Sequence, residues 1–155
     1  MPQQARFRAY NYVQVTPTLA TSGVVSADEF AAICEAGYRV VINLLPNDSK
    51  YAVPNEASLV SGLGMQYVHI PVDIERPTFG DYERFEAAMD VASESPVWVH
   101  CAANWRVSAF VGLYAQVHLG WSRERAAELV SGIWEPTPPW IQLAKQVLSG
   151  STEDR

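Results

Sequence analysis

Three short apolar runs constrain this chain more than any other feature: Tyr38–Leu44 (YRVVINL), Met65–Val72 (MQYVHIPV) and a third beginning at Val97, spaced apart by segments of helical period. Their β-branched, nearly continuous apolar character is that of strands buried on both faces. Ahead of the first, Ser26-Ala27-Asp28-Glu29 has the form of a capping box and starts a helix that ends near Gly37. Asn55–Leu63 reads as a short helix between the first two runs. Thr78 caps another, whose Phe79, Tyr82, Phe85, Met89 and Val91 fall close to a period of about 3.6 residues until Ser95-Pro96 breaks it. Beyond the third run, Val107–Leu119 forms an apolar helix closed by Gly120, and Ser122 caps the next as far as Trp134. After the proline-rich break Glu135–Pro139, Trp140–Leu148 makes a final amphipathic helix and Ser149–Arg155 is expected to fray. Strands alternating with helices predict an α/β domain in three layers. Its central sheet should be mostly parallel, of about four to five strands with helices on both faces, and sites form at the carboxyl ends of such strands.

With 155 residues and 48% apolar composition, the chain fits one domain over 1–155, its core at 19–148. The formal net charge is −6 and lysines and arginines are not clustered, which argues against nucleic acid or an anionic membrane as the main partner. The Met1–Val15 stretch lacks the apolar core of a signal peptide, and no run approaches the roughly 18 apolar residues of a membrane span. Two cysteines, Cys34 and Cys101, are too few for a disulfide framework, so a cytoplasmic location is the expectation. Cys34, beside Phe30 and Ile33 in the first helix, reads as a small core residue. His69 and His118 are isolated and no metal-ligand spacing occurs, so neither a metal nor another cofactor is expected.

The third run, Val97-Trp98-Val99-His100, leads into Cys101-Ala102-Ala103-Asn104-Trp105-Arg106-Val107-Ser108 and then a helix. Such a strand-to-helix turn aims backbone N–H groups at one point, and the helix N-terminus adds roughly half a positive charge, so the turn suits an anion such as phosphate. Cys101 sits at that point, where the same field favours thiolate, the reactive form.

The segment resembles the signature loop of the cysteine-dependent protein tyrosine phosphatase superfamily, which reads His-Cys, five residues, Arg, then Ser or Thr. The resemblance extends to small dual-specificity-like phosphatase domains, most closely a bacterial branch. It is carried as well by Leu19-Ala20-Thr21-Ser22-Gly23, Val40-Val41-Ile42-Asn43-Leu44 and His69-Ile70-Pro71-Val72-Asp73, in that order. It implies a phosphatase-like fold and hydrolysis of a phosphate monoester, from a phosphoprotein or a small molecule, through a cysteinyl-phosphate. Cys101 is then the nucleophile, Arg106 holds two equatorial oxygens, and the amides of Ala102, Ala103, Asn104, Trp105 and Arg106 hold the rest. The resemblance makes Asp73 the general acid, with Glu75 and Asp81 as rivals. Ser108 hydrogen-bonds the departing thiolate, and His100 orients the loop.

Two departures stand out. Only four residues separate Cys101 from Arg106, and Asn104 replaces the mid-loop glycine, although asparagine tolerates left-handed backbone angles. The shortened spacing also resembles rhodanese-type sulfurtransferases, in which Cys101 would carry a persulfide, and it is compatible with an anion-binding module that does not turn over. Trp105, Trp134, Trp140, Tyr51 and Tyr82 are candidates to wall a pocket for a ring-shaped substrate, with core packing as the alternative.

Overall fold

The computed structural model describes residues 7–153; residues 1–6 of the Met1–Val15 stretch and 154–155 of the C-terminal tail lie outside it. Along the chain come β1 (Val13–Thr16), β2 (Leu19–Ser22), α1 (Ala27–Glu35), β3 (Val40–Asn43), α2 (Glu56–Gly62) and β4 (Gln66–His69). Then follow α3 (Phe79–Val91), β5 (Val97–His100), α4 (Trp105–His118), α5 (Arg123–Ser131) and α6 (Pro138–Glu153). The five strands form one sheet in the order β1-β2-β5-β3-β4. Among the described residues, strands β2, β5, β3 and β4 are parallel and β1 runs antiparallel to β2. The fold is thus the mixed α/β, mostly parallel architecture that the sequence predicts.

Strand alternation divides the core in two. Val40, Ile42, Val97 and Val99 face one layer, with Phe85, Phe110, Leu113 and Leu143 from α3, α4 and α6. Val41 and Trp98 face the other, with Phe30 and Ile33 of α1 and Val60 of α2. Central β5 is buried along its whole length. Its carboxyl end, where Cys101 follows His100, is therefore held by β2 on one side and β3 on the other.

Local chemistry explains most element boundaries. Thr78 and Asp81 close a reciprocal capping box on α3, and the Ser122 hydroxyl accepts from the Arg125 amide to start α5. At α1 the expected capping box does not form. Ser26 makes no side-chain cap bond, because the Glu29 amide donates to the Ser26 backbone carbonyl at 3.0 Å, and the Glu29 carboxylate accepts from the Arg8 amide at 2.6 Å. Helix α4 begins at Trp105, earlier than its apolar pattern suggests, and α6 starts at Pro138 and continues past Leu148. Cys34 is half-buried against the α1/α2 core, and its thiol lies 3.3 Å from the Leu63 carbonyl.

Candidate active site

The turn from β5 into α4 is shaped by tethers on three consecutive carbonyls. The Cys101 carbonyl faces His100 Nδ1 at 3.3 Å, the Ala102 carbonyl accepts from the Val24 amide at 3.0 Å, and the Ala103 carbonyl accepts from Asn11 Nδ2 at 2.9 Å. In a trans peptide the C=O and the following N–H point opposite ways. Anchoring these three carbonyls outward therefore turns the N–H groups of Ala102, Ala103 and Asn104 to the inner side. None of the three has a hydrogen-bond acceptor among the described residues. Trp105 and Arg106 follow as the first helical positions, whose amides have no intrahelical partner.

Asn104 makes the turn possible. Its backbone is left-handed, φ 70° and ψ 10°, and its buried side chain donates to the Asn11 carbonyl at 2.8 Å and to Thr21 Oγ1 at 3.0 Å. Asn11, itself at φ 53°, returns the Ala103 bond, so two asparagines clasp the loop. Gly23 closes the other side. A Cβ there would lie 2.3 Å from the Ala102 carbonyl oxygen, so only glycine lets the two backbones meet.

Within this turn Cys101 is 1% exposed and forms part of a cavity of about 610 Å³, together with Arg106, Trp105, Ile74, Tyr51 and Tyr10. Arg106 bears on both Cys101 and Asp73 electrostatically; burial pulls its guanidinium below the ordinary value, and these two neighbours act in the opposite sense. Its Nε and Nη1 are buried with no hydrogen-bond partner among the described residues. A desolvated cation with two unpaired donors, beside a cysteine and a row of free amides, is the arrangement an oxyanion would complete.

The other predicted positions separate on geometry. Asp73 is exposed, and its Oδ1 accepts from the Glu75 amide at 2.9 Å; Glu75 is exposed in the same loop. Asp81 does not join them. Its carboxylate is spent on the Thr78 amide and on Arg84, at 3.0 and 2.5 Å. The buried Ser108 hydroxyl donates to the Trp105 carbonyl at 3.1 Å, a first-turn helix contact rather than a bond to Cys101. Trp105 is 43% exposed and stacks on Trp134 at 5.1 Å between ring centroids. Trp140 is core, but its Nε1 donates to the Ile74 carbonyl at 2.7 Å and so pins the Asp73 loop. Tyr51 lines the cavity, whereas Tyr82 is buried in the α3/α4 core and burial pushes its hydroxyl up.

Three contributors had no signal in the sequence: Asn11, Tyr10 and Glu56. Glu56 is 5% exposed and lies 2.5 Å from Nε2 of the equally buried His100. An acidic residue in the first turn of a helix is ordinary, and nothing local to residue 56 announces a partner near residue 100.

A mostly parallel sheet whose central strand delivers a buried cysteine and an arginine to one amide-lined turn is the phosphatase-like fold that this chain shares with solved protein tyrosine phosphatases. Residues 11–117 match the family described as "Beta-lactamase hydrolase-like protein, phosphatase-like domain", and the chain belongs to that family. Beta-lactamase hydrolase-like proteins of two Xylella fastidiosa strains, Temecula1 and 9a5c, are each 32% identical over 97 residues. Those residues make up 61% of this chain and 22% of the relative, so the chain spans less than a quarter of the curated relatives it matches. Among solved structures, a candidate phosphatase of the DUF442 group from Shewanella putrefaciens CN-32 is 37% identical, with a TM-score of 0.85, covering 92% of this chain and 94% of that one. PTPMT1 in complex with PI(5)P shares the fold at 19% identity and a TM-score of 0.76, over 92% and 97% of the two chains. TpbA of P. aeruginosa in complex with pTyr shares it at 18% and 0.71, over 93% and 89%.

Proposed function

We propose that this domain is a phosphate-monoester hydrolase that works through a cysteinyl-phosphate on Cys101. The observation that carries the reading is Arg106, which lines the same cavity as Cys101 and whose Nε and Nη1 are buried with no hydrogen-bond partner among the described residues. In the first step Cys101 thiolate attacks phosphorus and the ester bond to the leaving oxygen breaks. Arg106 spans two equatorial oxygens, and the amides of Ala102, Ala103, Asn104 and Trp105 take the remaining acceptor positions, so charge is stabilised where it develops. Asp73 gives its proton to the leaving oxygen and then, as carboxylate, takes one from the water that hydrolyses the thiophosphate bond. Its electrostatic reach to Arg106 and the use of Asp81 as a helix cap favour Asp73 in this role. Ser108 hydrogen-bonds the departing thiolate in the second step by turning its hydroxyl away from the Trp105 carbonyl.

The fold and the unpartnered Arg106 beside the Cys101 cavity favour this reading over persulfide chemistry, which requires neither a general acid nor a cation at two oxyanion positions. The test is phosphate release from a generic aryl phosphate by metal-free protein, run in parallel with Cys101→Ser. Turnover abolished in the variant is expected. Equal turnover in both proteins, or none in the wild type with intact protein, would reject the mechanism. Thiosulfate-to-cyanide sulfur transfer that depends on Cys101 and ignores Asp73 would replace it with the sulfurtransferase reading.

A further inference from the structure

Behind the turn lies a buried ion-pairing group that the chemistry above does not use. Glu56, the first residue of α2, and His100, the last of β5, are 5% and 1% exposed, with Glu56 Oε2 at 2.5 Å from His100 Nε2. On the other side of the ring, Nδ1 faces the Cys101 carbonyl at 3.3 Å. Both ring nitrogens therefore face oxygen acceptors. Two acceptors are satisfied together when the ring carries a proton on each nitrogen, and a buried carboxylate is the group that favours this.

The surroundings leave few competitors. From α1 the Phe30 ring covers the imidazole at 6.0 Å between centroids. From β4, Tyr67 interacts with Glu56, and its hydroxyl, pushed up to about 12 chiefly by burial, stays protonated and accepts from Asn43 Nδ2 of β3 at 3.0 Å. The backbone of β5 is fixed at the same point by the Leu44 amide on the His100 carbonyl, 2.9 Å, and by the Cys101 amide facing the Ser22 carbonyl, 3.3 Å. Arg106 is the cation that interacts with Cys101.

We propose that Glu56 is a positioning residue of this site: it holds His100 doubly protonated with Nδ1–H on the Cys101 carbonyl, which aims the Ala102 N–H inward and puts the positive end of the pair behind Cys101. The Cys101 carbonyl and the Ala102 N–H share one peptide plane, so the ring that fixes one fixes the other. The inference rests on the reading that Cys101 is the nucleophile, but its first test does not.

In wild-type protein, side-chain ¹⁵N resonances of His100 are expected to report a proton on both ring nitrogens, one for each acceptor that faces the ring. A bare nitrogen on the His100 ring would overturn the proposal without any variant. Glu56→Gln keeps the shape but removes the charge, so a neutral ring carries one proton rather than two and only one of its nitrogens can donate. Alkylation of Cys101 by iodoacetamide at neutral pH should slow at least about tenfold, the low end for losing a hydrogen bond to a charged group, with cooperative melting retained. Unchanged alkylation in a folded Glu56→Gln protein would also overturn it. If the variant does not fold, the wild-type resonances decide. Wild-type Cys101 that resists alkylation at every pH, with His100 doubly protonated, would instead sink the nucleophile reading and leave the pair standing.

Discussion

Replacing Arg106 with methionine should make the anion-free protein more stable. Arg106 Nε and Nη1 are both shut off from solvent and have no acceptor among the described residues. An unsatisfied buried donor costs about 1–3 kcal/mol. Taking the lower figure for each of the two gives about 2 kcal/mol, and methionine, of similar length and unbranched, keeps much of the stem packing without the donors. For a domain of this size about 2 kcal/mol raises Tm by roughly 4–8 °C. Desolvation has the same sign: the guanidinium value is lowered in the fold, so the penalty is present at every pH below that value and is relieved only as pH rises through it. Acidification therefore brings no relief, but an anion does. Saturating phosphate or sulfate, at about 100 times Kd, should stabilise the wild type by about 2.7 kcal/mol and the variant hardly at all. The assay is thermal melting followed by circular dichroism, with and without phosphate at constant ionic strength. An Arg106→Met protein that melts lower than wild type without anion, or that gains as much from phosphate, would refute the claim that these donors are held open for a ligand.

Two further outcomes separate roles within the site. Asp73→Asn should slow turnover of an aryl phosphate by about 10² to 10⁴ fold, whereas Asp81→Asn should lower Tm through the damaged capping box, worth about 1 kcal/mol, with turnover little changed; paired kinetics and melts check both, and the reverse pattern would make Asp81 the acid. Gly23→Ala should disrupt the loop, because its Cβ would fall 2.3 Å from the Ala102 carbonyl oxygen. Loss of the phosphate-induced rise in Tm is expected, and a retained rise would show that the β2–α1 connection is free to move.

What the sequence made legible was what lies close together along it. The β-branched runs at 40–44 and 97–100 alternate their side chains between two apolar layers, so burial on both faces is written into each residue. Cys101 and Arg106 are neighbours, and a strand entering a helix leaves little choice about which end of the strand they occupy. Long-range pairings were different. Glu29 satisfies the pattern of a capping box, yet the Arg8 amide, far from it in sequence, takes its carboxylate. Asp81 has the spacing of a loop acid relative to Asp73, but it also stands three residues after Thr78, and the cap is the interaction that formed. β1 was not read as a strand because Val13–Thr16 is short and mixed, and its pairing with β2 across Pro17-Thr18 needs the parallel sheet already in place.

The shortened spacing between Cys101 and Arg106 acquires a physical reason in Asn104. A longer loop surrounds an anion with its own amides before the helix starts. Here the left-handed residue at Asn104 turns the chain at once, and α4 begins at Trp105, so the amides of the first helical turn supply donors that the missing residue does not. Arg106 thereby becomes the second residue of the helix rather than part of the loop, and its side chain still bears on Cys101. Such a turn lacks the latitude of a longer one, which accounts for the outward tethers from His100, Val24 and Asn11 and for the close backbone approach at Gly23. In this arrangement the short loop and the buried asparagine are one device, because removing a residue from the loop is tolerable only where the chain can reverse in a single left-handed step.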